Sequence, residues 1–270
     1  MIFVRDKGQM CNNILQYGHV YAWAKEHGRK CMSMRFAYKY QFFNICDTRY
    51  HNFPTYVLAK FAAWLKLLPV VSFNEKDAPP DDNERMMLSR HNILVEGWEV
   101  RFYDLFLKHK DEIICLFGFK DEIKKHISSL INKTSGKGSL RLGIHIRRGD
   151  YKKWYSGKYF FDDETFINYI KAFARSHADR KITVYICSND PNLDKSVYVS
   201  HLTEMDVVFP AGNPGEDLCL LSSCDYLIGP PRTFTLGASM YHDVPLCWME
   251  EKDPATMKFD VFDNLFRRIK

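Results

Sequence analysis

Two adjacent arginines, Arg147 and Arg148, stand directly after an apolar run from Leu140 to Ile146. Such a run reads as a buried strand, and strand ends of α/β sheets are where ligands sit. Guanidinium forks match phosphate oxygens in spacing and charge, so an anionic group, above all a phosphate, is the ligand class they suit. Gly149, Asp150 and Tyr151 follow. The same residues also read as a surface turn with solvated charges. His145, one residue short of the strand end, is either a ligand contact or a core histidine bonded to backbone. A carboxylate beside two guanidiniums has its pKa pushed down and is a poor base, so Asp150 is expected to hold the arginines rather than to take a proton.

Three further segments place polar groups at element ends. Near the N-terminus, Ile2 to Val4 reads as a strand. Gly8-Gln9-Met10-Cys11-Asn12-Asn13 then reads as a loop feeding a helix, with Asn12 as its N-cap. A helix start offers free N–H groups and a positive dipole end, which suits phosphate, although a cap needs no ligand. Near the C-terminus, Glu216 to Asp225 reads as a helix and Tyr226 to Gly229 as a strand. Pro230 to Ser239 then reads as a loop entering a helix, where Thr233, Phe234 and Thr235 offer hydroxyls and N–H groups. Phe234 could equally fill the core. Asn189 and Asp190 follow the strand-like run ending at Cys187, and an Asx turn explains them as well as a ligand does.

These segments carry a resemblance. His145-x-Arg147-Arg148-Gly149-Asp150-Tyr151 resembles the signature of the α-1,2- and α-1,6-fucosyltransferase superfamily, nearest to the bacterial α-1,2-fucosyltransferases of glycosyltransferase family 11. Asn12, Gln16 and Tyr17 fall on positions of that family's opening Gly-Gly-Leu-Gly-Asn-Gln loop and helix. Cys11 stands where the family has glycine and Asn13 where it has glutamine. Thr233, Phe234, Gly237 and Ala238 fit its Ser-Thr-Phe-Ser-Trp-Trp-Gly-Ala turn, and Thr235 replaces its second serine; Arg232 and Leu236 depart from it. Val95-Glu96-Gly97-Trp98 is a fainter match, with Glu99 and Arg101 beside it.

The resemblance implies transfer of fucose from GDP-fucose to a sugar hydroxyl, an α-1,2 linkage formed with inversion, and no metal. It implies Arg148 on the departing diphosphate, Arg147 supporting or sharing that contact, and His145 near GDP. Asn12, Asn13, Asn189, Asp190, Thr233, Phe234 and Thr235 are then donor-binding candidates. The acceptor it suggests is an oligosaccharide or lipid-linked glycan in surface-polysaccharide synthesis. Asp162-Asp163 and Asp81-Asp82 lack the Asp-x-Asp spacing by which many transferases hold a metal. Two other readings stay open: a transferase using a different nucleotide sugar, and a nucleotide-sugar-binding protein without turnover.

The elements that must position these residues alternate between strand and helix, which argues for parallel βαβ sheets. The polar, glycine-bearing segment 133–139 divides the chain almost in half. The fold expected is α/β and GT-B-like: two Rossmann-like domains facing across a cleft, an acceptor-side domain over 1–135 and a donor-binding domain over 139–270. Single helices are expected over 55–68 and 102–114, and a polar loop outside both cores over 74–85.

Composition narrows the function class. An apolar share of 46% and an aromatic share of 15% can bury a sizeable core. The net charge of +5 suits anionic ligands or a loose association with acidic lipid without demanding either. No basic run interleaves with aromatics, so nucleic acid is not an expected partner. The most apolar helix-like piece, Thr55 to Pro69, contains Lys60 and Lys66 and is too short to span a bilayer. Met1 leads straight into a strand with no leader-like segment, so the expected compartment is the cytoplasm, including the inner membrane face. Eight scattered cysteines make no Cys-x-x-Cys pair and are expected reduced; Cys11 alone stands in a proposed phosphate loop.

Overall fold

A computed structural model describes residues 1–36, 40–73, 80–148 and 154–269, with the backbone alone at 80, 81, 154 and 155. The chain forms two compact units, Met1–Lys120 and Asp121–Lys270. The division falls one helix earlier than the loop 133–139. Helix α6 (Asp121–Thr134) packs on α9 (Pro214–Ser222), and the Thr134 hydroxyl lies 2.9 Å from the Tyr185 hydroxyl. The apolar face of α6 therefore belongs to the second core, and the loop only joins that helix to its own sheet.

In the first unit, β1 (Ile2–Arg5), β2 (Cys31–Ser33), β3 (Val70–Ser72) and β4 (Ile93–Glu96) form a parallel sheet in the order β2-β1-β4-β3. Helix α1 (Met10–Glu26) follows β1 and is buried on nearly every face, as its Ile, Leu, Val, Trp and Ala content allows. It starts earlier than the expected Asn12 cap. Gln9 is the N-cap, and it makes no side-chain cap bond. Helix α2 (Phe53–Trp64) is capped by Asn52, whose side chain accepts from Thr55 N–H, with Pro54 in its first turn. Helix α3 (Pro80–Ser89) stands where a loop was expected. Proline is tolerated in a first turn and acids favour it, so Pro80-Asp81-Asp82 opens a helix as readily as it makes a turn. The single helix expected over 102–114 is broken into α4 (Tyr103–Lys108) and α5 (Lys110–Leu116) at His109, whose imidazole bridges Glu26 at 2.5 Å and Glu112 at 3.3 Å.

In the second unit the sheet order is β10-β9-β8-β5-β6-β7. Strands β5 (Leu140–Ile146), β6 (Ile182–Ser188), β7 (Asp206–Val208), β8 (Tyr226–Gly229) and β9 (Leu246–Trp248) are parallel, and β10 (Phe259–Asp260) adds an antiparallel edge. The near-continuous apolar runs of β5 and β6 are those of strands covered on both faces. Helices α7 (Asp163–Ser176), α8 (Lys195–His201), α9, α10 (Thr233–Met240) and α11 (Phe262–Phe266) complete the unit. Asp162 caps α7, and Asn213 and Glu216 cap α9 reciprocally, so each return to the sheet is set locally. Both units have the βαβ alternation of Rossmann-like folds.

Candidate active site

The order of the second sheet creates a switch point. From β5 the chain moves outward to β6 and β7, then returns through α9 to β8 on the opposite side of β5. The carboxyl ends of β5 and β8 thus diverge into separate connections, and ligands of open α/β sheets bind in that crevice. Arg147 and Arg148 leave β5 there. Pro230 to Phe234 leave β8 there, and Asn189 and Asp190 leave the neighbouring β6.

Arg148 is the most constrained of these residues. Its Nη2 donates to Asp163 Oδ1 at 2.5 Å, and its Nη1 lies 3.5 Å from Asp190 Oδ2. Its backbone N–H donates to Asn189 Oδ1 at 3.1 Å. Tyr198, on α8, donates its hydroxyl to the same Asp163 oxygen at 2.6 Å. The side chain is 15% exposed. Burial disfavours its charge, but the hydrogen bond and charge of Asp163 outweigh that and hold the pKa above the ordinary arginine value. The guanidinium is therefore a cation of fixed orientation. Its Nε is buried without a hydrogen-bond partner.

Asn189 and Asp190 fix Arg148, and Asp190 also makes an Asx turn, accepting from Asn192 N–H at 3.0 Å. Asp163 and Tyr198 are site residues that sequence reasoning missed. The one available signal was an acid in the first turn of the helix after the arginine loop. That is also where helix-capping acids occur, so it does not discriminate. Asp150, with Gly149 and Tyr151, lies outside the described residues.

His145 is buried and stacks on Phe234, ring centroids 4.5 Å apart and planes 21° apart. Burial, with the nearby Arg147 charge, pushes its pKa down to about 3, so the imidazole is neutral. Its Nδ1 has no hydrogen-bond partner. Gly229 lets β8 approach this closely: a Cβ there would stand 2.8 Å from Thr235 Cγ2 and 3.2 Å from the His145 carbonyl oxygen. The arginine segment and the Thr-Phe-Thr segment are thus brought together by packing.

Helix α10 begins with no acid in its first turn and with Arg232 as N-cap residue. Its first helical hydrogen bond runs from Leu236 N–H to the Arg232 carbonyl, so the N–H groups of residues 233 to 235 precede the ladder. Phe234 and Thr233 are half-buried. Thr235 was expected to offer its hydroxyl outward. Instead it is buried, and its hydroxyl donates to the Arg232 carbonyl at 3.2 Å. Leu236 lies in the core.

Asn12 and Asn13 lie in the first unit. Asn13 is buried and donates to the Lys7 carbonyl at 2.7 Å; Gln16 accepts from Lys7 N–H at 2.9 Å. These amides clamp the turn between β1 and α1. Gly8 holds that turn at φ +84°, where a Cβ would stand 2.6 Å from the Asn12 side chain and 2.8 Å from the Trp98 ring. Trp98, just beyond β4, is 46% exposed. Cys11 is buried, and all eight cysteines are free thiols. Below the turn, Asp6 is 1% exposed and accepts from Ser33 Oγ at 3.0 Å and from the Tyr40 hydroxyl. Burial holds its carboxyl up at about 7, against the pull of those hydrogen bonds and of Arg35.

Among the described residues, no group of three His, Cys, Asp or Glu could hold a metal ion. Asp162 and Asp163 are occupied by the α7 cap and by Arg148. Among the described residues no helix is long and apolar enough to cross a membrane.

Solved structures share this architecture. A mutant of Arabidopsis thaliana FUT1 in complex with GDP superposes with a TM-score of 0.66 at 9% identity, over 96% of this chain and 73% of that one. NodZ, an α-1,6-fucosyltransferase from Bradyrhizobium soaked with GDP-fucose, gives 0.57 at 14% identity, over 96% and 98%. POFUT1 in complex with GDP gives 0.54 at 11% identity, over 90% and 94%. At these identities the likeness is one of fold. No curated protein sequence matches the chain. The sequence profile of Glycosyl transferase family 11 matches residues 89–242, which span β4, the whole arginine segment and the turn into α10. With more than half its length matched, this chain belongs to Glycosyl transferase family 11.

Proposed function

We propose that the protein transfers fucose from GDP-fucose to a sugar hydroxyl without a metal, inverting the anomeric centre to give an α-1,2 linkage. The observation that carries this reading is Arg148, an oriented cation at the β5/β8 switch point. As the glycosidic bond breaks, the departing diphosphate gains charge, and preoriented donors lower the barrier most when aimed at such developing charge. Arg148, Arg147 and the N–H groups opening α10 supply donors of that kind. Asp163, Asp190 and Tyr198 are positioning residues for Arg148. His145 serves as a hydrogen-bonding or stacking surface: with its pKa held down at about 3 it carries no charge and is too weak a base to take the acceptor proton. Asn13 acts through the turn that it clamps with Gln16, and Asn12 lies against Gly8 in that turn.

Family membership supports glycosyl transfer, and the fold shared with structures holding GDP or GDP-fucose supports the donor. We assign the acceptor to the first unit, with Trp98 as a surface for a sugar ring of an oligosaccharide or lipid-linked glycan. The test is GDP release and product mass from purified protein given GDP-fucose and a panel of galactose-terminated acceptors. Folded protein that releases no GDP with any acceptor overturns the reading. Arg232, at a position where the family pattern differs, keeps one alternative open: a different nucleotide sugar. GDP-mannose and UDP-sugars in the same panel decide it.

A further inference from the structure

Helix α2 is built inside out. Its inward face is small: Ala59 and the half-buried Ala63 pack with Met34 and Leu94, and Tyr56 is buried beside them. Its outward face carries the large side chains. Pro54, Leu58, Phe61 and Leu65 recur four, three and four residues apart, the spacing of one helical stripe. Leu58 is 71% exposed, Phe61 58% and Trp64 74%, and Leu67 just beyond the helix is 69% exposed. A helix covered only by water shows the opposite arrangement, and exposed apolar patches of this kind mark interaction surfaces.

The charges around the patch choose the partner. From Phe53 to Phe73 there is no Asp or Glu, while Lys60 and Lys66 are both exposed. Long lysine stems can lie along apolar surface and lift their ammonium groups to a polar boundary. Tryptophan is favoured at such a boundary because its ring is apolar and its N–H is not. A second copy of this chain would meet the same two lysines with no carboxylate in the segment to pair them. A surface that is apolar below and anionic above matches every one of these groups.

We propose that α2 lies flat in the headgroup–acyl boundary of an anionic bilayer, burying Leu58, Phe61, Trp64 and Leu65 while Lys60 and Lys66 meet lipid phosphates. This assigns a membrane-binding surface to the first unit and stands apart from the transfer reading, because it uses no residue of the β5/β8 site.

The test is vesicle flotation of the full chain with phosphatidylcholine alone and with phosphatidylcholine containing phosphatidylglycerol. The expected result is flotation with the anionic vesicles and a blue shift of tryptophan fluorescence that Trp64→Phe removes. The pair Phe61→Gln and Leu65→Gln should weaken binding by about tenfold or more while leaving the thermal melt and GDP release unchanged. Lys60→Glu with Lys66→Glu should abolish the preference for anionic lipid. Wild-type protein that floats with neither vesicle, or equally with both, overturns the proposal. So does light scattering that shows a dimer which the glutamine pair splits, since that result gives the face to a second copy.

Discussion

His145 and Phe234 stack with ring centroids 4.5 Å apart, joining the end of β5 to the first turn of α10. The contact fixes the chemistry open to the histidine, because burial beside Arg147 holds its pKa down at about 3. The ring stays neutral throughout the range where histidines usually titrate. Transfer rate against pH should therefore carry no step that disappears in His145→Gln. An inflection near the usual histidine range, lost in that variant, would show that the imidazole is charged. Phe234→Ala should raise the KM for the donor more than it lowers kcat.

Arg148 depends on Asp163 for its direction. Arg148→Ala should lower kcat by about 10²–10³-fold, the scale seen when an oriented donor to developing charge is lost. Lysine should not rescue it, because a point charge cannot span two oxygens. Asp163→Asn keeps the shape but removes the charge that aims the guanidinium, and misplacement of this kind costs roughly a hundredfold. Tyr198→Phe should have a smaller effect in the same direction. Steady-state kinetics of the four variants, with unchanged far-UV CD, checks the series; full activity in Asp163→Asn would separate Arg148 from its carboxylate.

A metal-free mechanism predicts that turnover persists in excess EDTA. Rates measured before and after chelation, and again after adding Mg²⁺ or Mn²⁺, decide it. Loss on chelation with recovery on metal addition would require ligands beyond the described residues.

Asp6 makes stability depend on pH in a direction opposite to the usual buried ion pair. Its carboxyl is held up at about 7, chiefly by burial. Between about pH 4 and 7 the native chain keeps a proton that the unfolded chain releases, so ν_U − ν_N is negative and stability falls as pH rises. Above that window the loss is complete. Asp6→Asn, neutral at every pH, should flatten this slope and gain on the wild type as pH rises. Urea unfolding at either end of the window measures it; parallel slopes for the two proteins would contradict the buried-acid assignment.

Trp98 offers an exposed ring above the Gly8 turn. Trp98→Ala should raise the acceptor KM by about tenfold or more, the scale of one aromatic contact, while leaving the donor KM unchanged. Initial rates with each substrate varied in turn check the split. An equal rise in both constants would mean that the substitution disturbs the turn.

Much of this protein is legible along the chain. The alternation of apolar runs and periodic segments marks nearly every strand and most helices, because both periodicities are local. The arginine segment announces itself because two guanidiniums at a strand end are costly without an anion or a carboxylate partner. The helix over 80–89 is missed because Pro-Asp-Asp opens helices and turns alike, and the break at His109 is set by Glu26 and Glu112, one of them distant in sequence. The unit boundary is missed because α6 is equally amphipathic whichever core it covers; only its packing on α9 assigns it.

The candidate site divides in the same way. Residue order alone determined that Arg147, Arg148, Asn189, Thr233 and Phe234 sit at the ends of regular elements, since caps, turns and apolar runs act over a few residues. Sheet order decided which ends converge. It brought β8 beside β5, turned Asp163 and Asp190 onto Arg148, and drew the Thr235 hydroxyl inward. Contacts between residues far apart in the chain depend on which strands pair and which faces pack. Those choices minimise the free energy of the whole core, and no local pattern encodes them.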